Sequence, residues 1–170
     1  VTGTSRDTGR ESGIGNREST EGSSLLLRDY REPDFDELVR LDRECFEPGI
    51  AYSNRDMRRF LTFATRIAIV AERSGHIAGF CIGFRAPGKR GHIITLDVRA
   101  DERGSGVGRA LLEATIARMK RSGASETTLE VDAENANAIG FYERLGFERR
   151  GSLPDYYGPN RPALEMARRE

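Results

Sequence analysis

The segment from Ile93 to Met119 constrains this chain more than any other, because an apolar, β-branched strand runs through a charged elbow and a glycine-rich turn directly into an amphipathic helix. After Gly108, residues Leu111, Leu112, Thr115, Ile116 and Met119 recur at three- and four-residue steps, which predicts a helix with one buried face. The first turn of that helix is then the glycine run itself. Backbone N–H groups in a first turn have no intrahelical acceptor, and the helix dipole places partial positive charge there. Gly104, Gly106 and Gly108 carry no Cβ to hold a ligand away, so a phosphate or pyrophosphate can lie along the amides of the run, Ser105 and Val107 included. Arg103 and Arg109 flank the site with side-chain charge.

Two well-known phosphate loops fit this turn poorly. A P-loop ends in Gly-Lys-Ser/Thr, and no lysine follows these glycines. A dinucleotide fingerprint needs its first glycine at the strand end and its third where Arg109 stands, whereas Arg99 to Arg103 separate Val98 from Gly104. A tight strand-to-helix turn that binds nothing is the bland alternative. The pattern that does fit is Arg-x-x-Gly-x-Gly, at Arg103, Gly106 and Gly108. With a strand before it and Arg-Ala-Leu-Leu after it, it resembles the acetyl-coenzyme A loop of the GNAT acetyltransferases.

The rest of the chain is consistent with one domain. Residues 1 to 23 are Gly, Ser, Thr and mixed charge with almost no apolar side chains, which predicts a disordered tail before a domain over 24–170. Lys plus Arg and Asp plus Glu each number 27, so no global field favours nucleic acid or a membrane surface. No apolar run reaches membrane-span length, and no charged-then-apolar start suggests a signal peptide. Cys45 and Cys81 lie in apolar surroundings without metal-ligand spacing, and are expected to be buried and reduced. A cytoplasmic protein without metal, a monomer or weak homodimer, is the resulting expectation.

Element by element, Leu25 to Leu27 open a first strand, and Pro33 at a first turn starts a helix with Phe35, Leu38, Leu41 and Cys45 facing inward. Ser53 and Asp56 resemble a capping box for a second helix carrying Met57, Phe60 and Leu61. Ile67–Ala71 and Ile77–Phe84 form a hairpin through Arg73-Ser74-Gly75, Gly79 marking a bend or a close backbone approach. Thr127–Asp132 is the strand after the glycine-loop helix, and it pairs in parallel with Ile93–Val98. Asn135 opens the last helix, closed by Gly146-Phe147, and strands Phe147–Gly151 and Ala163–Ala167 flank an aromatic loop. His76 and His92 are read as structural or surface residues.

The segment Leu129-Glu-Val, then Asn135-x-x-Ala-Ile-x-x-Tyr142-Glu-x-Leu-Gly-Phe147, resembles the second half of the same family. It is similar in particular to the RimI-like and Ard1-like protein N-terminal acetyltransferases, over residues 25 to 168. The resemblance implies a GNAT fold of α/β (α+β) class. Its sheet is mixed and mostly antiparallel, splays between the fourth and fifth strands, and is flanked by about four helices. It implies acetyl-CoA as co-substrate and direct transfer in a ternary complex, with Glu130 as general base and Tyr142 as the acid that protonates the leaving thiolate. Alternation puts Glu130 on the opposite sheet face from Leu129 and Val131, which leaves an exposed strand glutamate open as well. Tyr142 is equally a core aromatic by spacing, and Asn135 equally a helix N-cap.

By the same resemblance Asn135 contacts the pantetheine arm, and the backbone of Leu96 and Val98 binds its amides or the acetyl oxygen. The acceptor enters between a loop bearing Phe46 and Tyr52 and a hairpin bearing Tyr156 and Tyr157. The chain departs from its relatives on these loops: Ala51-Tyr52-Ser53 stands for Pro-Trp-Ser, and Gly158-Pro-Asn-Arg-Pro162 for an acidic turn. These departures bear on substrate selectivity and leave the enzyme class intact; by the resemblance a protein N-terminus is the expected acceptor, with a small-molecule amine as alternative. A non-catalytic acyl-CoA sensor is a third reading, opposed by the presence of both Glu130 and Tyr142.

Overall fold

The computed structural model describes residues 24–170, so the tail expected over 1–23 lies outside the described residues. Among the described residues seven strands form one sheet: β1 (Leu26–Asp29), β2 (Arg66–Arg73), β3 (His76–Ala86), β4 (Arg90–Val98), β5 (Glu126–Asp132), β6 (Glu148–Leu153) and β7 (Ala163–Arg169). Their order is β1-β2-β3-β4-β5-β7-β6, and every neighbouring pair is antiparallel except β4–β5. This is the mixed, mostly antiparallel sheet that the resemblance implies. Four helices cover it: α1 (Phe35–Cys45), α2 (Asn54–Thr62), α3 (Val107–Arg121) and α4 (Ala136–Arg144). Among the described residues no helix is long and apolar enough to cross a membrane.

The sheet separates two apolar clusters. On one face Leu111, Leu112, Ile116 and Met119 of α3 pack on Ile69, Cys81, Ile93, Leu129 and Val131, joined by Ile139 of α4. On the other, Phe35, Leu38, Val39 and Leu41 of α1 and Met57 and Leu61 of α2 pack on Val70, Phe80 and Ile82. Alternation along β2 and β3 divides their side chains between the two layers.

Helix α1 begins later than Pro33 predicts. Pro33 sits in a short 3-10 turn, Glu32–Asp34, and α1 starts at Phe35. The reason lies in the Asp34 carboxylate, which accepts from Arg28 at 2.7 and 3.0 Å and from the Arg31 N–H at 2.8 Å. Turned back toward the preceding segment, it cannot cap the α1 amides. Ser53 does cap α2: its Oγ accepts from the Asp56 N–H at 3.1 Å, while the Asp56 carboxylate takes the hydroxyl proton at 2.6 Å rather than reaching the Ser53 backbone. Ser53→Ala is expected to cost about 1 kcal/mol in chemical denaturation; an unchanged midpoint would show that Asp56 sustains the turn alone. Cys81 is fully buried, but Cys45 is only half-buried, correcting the expectation that both are interior.

Candidate active site

Strands β4 and β5 pair at their beginnings and part at their ends. The parallel register runs Arg90↔Glu126, Gly91↔Thr127, His92↔Thr128 and stops. The cause lies in β4. Ile93 stands opposite Gly83 and Thr95 opposite Ile82, which leaves Ile94 as an extra, bulged residue. Ile93 packs with the α3 layer and Ile94 with the α1–α2 layer, yet Leu96 and Val98 return to the α3 layer, a parity that uninterrupted alternation forbids. A bulge bends its strand and sharpens the twist, and here it turns the end of β4 away from β5.

Backbone groups left by this parting are available to a ligand, apart from Val98 O, which accepts from Arg103 Nε at 3.2 Å and Cys45 Sγ at 3.4 Å. The Arg99 N–H donates to Ala78 O at 3.0 Å, toward β3. Because bonding directions alternate along an antiparallel strand, the N–H and C=O of Val98 and Leu96 face the gap. The gap opens into a cavity of about 780 Å³ whose walls include Leu96, Val98, Arg103, Gly104, Gly106, Gly108, Arg109, Glu130, Asn135 and Tyr142.

The glycine loop meets this cavity at the N-terminus of α3. Gly104 and Gly106 have φ of 77° and 90°, with Gly106 as N-cap, and a Cβ at either would touch nothing. Their requirement is therefore left-handed backbone rather than clearance for a ligand. Gly108 is helical, and a Cβ there would meet Val98 Cγ2 at 3.4 Å and the Phe141 ring at 3.6 Å in ordinary van der Waals contact. The first intrahelical bond is Ala110 N–H to Gly106 O at 3.0 Å, so the Val107, Gly108 and Arg109 amides carry the free donors of the first turn. Val107 offers only this backbone, its side chain being buried in the core. Ser105 turns away, donating to Glu102 O at 2.7 Å. Arg103 folds across the end of β4, its Nε donating to Val98 O at 3.2 Å.

Glu130 lies where β5 diverges. The Tyr156 hydroxyl donates to its Oε2 at 3.3 Å, and His92 Nε2 stands 3.3 Å from the same oxygen. His92 Nδ1 is 3.0 Å from Thr128 Oγ1. The Thr128 hydroxyl also lies 3.4 Å from Gly91 O, to which it can donate, so His92 Nε2 donates to Glu130 only in the tautomer, or the protonated ring, that carries its N–H at Nε2. His92 is thus not the plain strand-start residue that the sequence suggested. Its contact with Glu130 follows from the parallel register His92↔Thr128, which no local pattern reveals.

Tyr142 lines the same cavity as Glu130. Gly146 and Phe147 close α4 in a Schellman motif, with Phe147 N–H on Tyr142 O at 3.1 Å and Gly146 N–H on Glu143 O at 3.0 Å. That closure, with ring contacts to Phe141 at 5.2 Å and Phe147 at 5.7 Å, holds the phenol at the cavity. Burial raises its pKa, so it remains protonated. Asn135 caps α4 by accepting from the Ala138 N–H at 3.0 Å and lines the cavity as well.

The opposite mouth is aromatic. Phe46, Tyr52 and Tyr157 line it, and the Tyr52 hydroxyl donates to the bulged Ile94 O at 3.3 Å. Tyr156, the half-exposed partner of Glu130, packs edge-on to Tyr157 at 4.9 Å. Burial and the neighbouring Glu130 charge push the Tyr156 phenol up to about 12. Arg161, which the sequence reading did not single out, spans this mouth, pairing with Asp132 at 2.9 Å and Glu47 at 3.2 Å.

Comparison with known proteins agrees with this geometry. Residues 35–147 match the acetyltransferase (GNAT) family. The chain is 30% identical over 148 residues to an uncharacterised N-acetyltransferase of Methanocaldococcus jannaschii, covering 86% of this chain and 92% of that protein. It is also 30% identical over 162 residues to an N-alpha-acetyltransferase of Sulfurisphaera tokodaii, covering 88% and 96%. Its fold is that of the ribosomal-protein-S18-alanine N-acetyltransferase of Escherichia coli, with a TM-score of 0.77 at 23% identity over 86% of this chain and 94% of that one. A bulged fourth strand, a glycine loop on a helix N-terminus and these matches lead to one conclusion: the chain belongs to the GNAT family, whose members use acetyl-CoA, and is an N-acetyltransferase.

Proposed function

We propose that this N-acetyltransferase acts on the N-terminal α-amine of a protein or peptide, with Glu130 as general base and Tyr142 as general acid. One observation carries the reading: a carboxylate and a protonated phenol line one cleft, Glu130 on β5 and Tyr142 on α4, beside the point where β4 and β5 part. The match to a relative named N-alpha-acetyltransferase supports the choice of acceptor.

Acetyl-CoA supplies a thioester-activated acetyl group. The chain fits it with the free amides of Val107, Gly108 and Arg109 for the pyrophosphate, Arg103 and Arg109 for its charge, and the gap-facing backbone of Leu96 and Val98 for the extended arm and the acetyl oxygen. Gly104, Gly106 and Asn135 shape that path. Glu130 takes the ammonium proton, through a water, and holds it while Tyr156 and His92 orient the carboxylate. An α-amine has a pKa of about 8, so a carboxylate suffices for this task at neutral pH. Tyr142, kept neutral by burial, gives its proton to the departing thiolate. Phe46, Tyr52 and Tyr157 bound the acceptor side, and Arg161 ties the two substrate-facing loops together.

Free-thiol release tests this, with short peptides of varied N-termini set beside polyamines, aminoglycosides and free amino acids. Peptide-dependent turnover is expected, with kcat depressed about a hundredfold by Tyr142→Phe and acetyl-CoA still bound. Turnover with small amines alone would overturn the acceptor assignment. Coenzyme binding without any turnover would overturn the catalytic one.

A further inference from the structure

The chain's own side chains occupy the gap-facing carbonyl oxygen of Val98, and they occupy it twice. Arg103 Nε donates to it at 3.2 Å and Cys45 Sγ at 3.4 Å, while Arg103 Nη2 lies 3.8 Å from the same sulfur. A carbonyl oxygen has two lone pairs, so both are taken. Three segments meet here: the end of β4, the C-terminus of α1 and the elbow before the glycine loop, and all three residues line the cavity. Burial, reinforced by the Asp97 charge, raises the Cys45 thiol against the pull of Arg103, so the sulfur keeps the proton that it donates.

Arg103 is poorly matched in this position. Its guanidinium is a permanent cation, yet among the described residues it pairs with no carboxylate and holds only a neutral carbonyl and a thiol. The adjacent Glu102 is taken by Arg73 at 2.5 Å and by the Ser105 hydroxyl at 3.2 Å. Arg103 is also exposed, so its side chain is free to turn. A pyrophosphate on the amides at the other end of the same loop offers it charge-assisted bonds, which are roughly twice as strong as neutral ones.

We propose that Arg103 selects the acetyl donor: its guanidinium bars a pantetheine arm from the Val98 carbonyl unless a pyrophosphate on the Val107 to Arg109 amides draws it away. A pantetheine thioester without a pyrophosphate meets an occupied carbonyl. Arg103 is thus a specificity residue for the donor and takes no part in the chemistry. The selection rests on the acetyl-CoA path proposed above; the contact at Val98 does not.

The competition has a definite direction. To reach Val98 O, an amide of the arm must displace a charged donor and gains only a neutral hydrogen bond in return. Once the guanidinium has moved to a pyrophosphate, one lone pair is open and the lost contact is more than offset. Cys45 keeps the other lone pair throughout, so α1 stays tied to β4 while Arg103 exchanges.

Calorimetric titration of Arg103→Ala with two donors tests this without turnover, and the exposed position leaves the fold intact. Acetyl-CoA Kd should rise about tenfold, because a charge-assisted contact is lost. Acetyl-pantetheine Kd should instead fall about fivefold, because one lone pair of Val98 O is opened. A residue that only attracts negative charge would leave the second constant unmoved, and one that only holds the loop in shape would weaken both. The NMR signal of the Val98 carbonyl carbon reports the contact itself. It should move upfield in Arg103→Ala and, in wild type, on addition of inorganic pyrophosphate.

An acetyl-pantetheine Kd that is unchanged or raised in Arg103→Ala would overturn the selection, as would a Val98 signal that pyrophosphate leaves in place. If wild type does not bind acetyl-CoA, the path proposed above falls and the selection falls with it, while the Val98 signal of Arg103→Ala still decides the contact.

Discussion

Glu130→Gln is expected to lower kcat for peptide acetylation by about a thousandfold, within the range that a positioned base contributes. The substitution is nearly isosteric, and the Gln carbonyl oxygen can still accept from Tyr156, so the fold should hold. What disappears is the group that receives the ammonium proton. Acetyl-CoA affinity should be unaffected, because the free amides of Val107 to Arg109 and the backbone of Leu96 and Val98 are untouched. The residual rate should climb with pH toward the α-amine pKa of about 8, since the acceptor must then lose its proton to solvent. Steady-state kinetics over several pH values would measure both effects. A variant that retains wild-type kcat would transfer the base role elsewhere, with His92, at 3.3 Å from the same carboxylate, the first residue to examine.

The second large effect is structural and acts on the same cleft from behind. Gly79 of β3 pairs with Val98, and a Cβ at position 79 would stand 2.5 Å from the Asp97 carbonyl oxygen and 3.1 Å from Leu111 Cδ1. A backbone oxygen within a ladder cannot swing aside as a side chain can. Gly79→Val must therefore push the end of β4 away from β3, or α3 away from both. Overpacking of this kind is expected to cost about 3 kcal/mol, a fall of roughly 10 °C in Tm for a domain of this size. The displaced strand end carries Leu96 and Val98, so acetyl-CoA KM should rise even where the variant remains folded. A Tm within a degree or two of wild type would mean that β4 yields at this point, contrary to its packing against Leu111.

These two residues differ in how far local sequence could reveal them. The alternation of Leu129, Glu130 and Val131 sets Glu130 apart from the core face, and the glycine at 79 announces close backbone approach. Neither pattern says which groups are met. The periodicity after Gly108 and the Gly146-Phe147 closure of α4 are local hydrogen-bond and packing rules, and both helices form as those rules require. Where the helix-start rule failed, a competing partner was responsible: Arg28, six residues before Asp34, holds its carboxylate and delays α1 to Phe35.

The chain's own order of residues was enough to establish a strand, a glycine-rich turn and a helix N-terminus in succession, a second motif bearing Glu130 and Tyr142, and the parallel pairing of the two strands concerned. Those features depend on side-chain period, backbone preference and neighbours a few residues apart. Only the tertiary structure decided that Ile94 bulges, that β4 and β5 part after His92, that His92 and Tyr156 converge on Glu130, and that Cys45 of α1 meets Arg103 at Val98 O. Each of these is a relation across strands or between layers. Register and burial are properties of the assembled sheet, and a period along one strand cannot encode which residue of another will stand beside it.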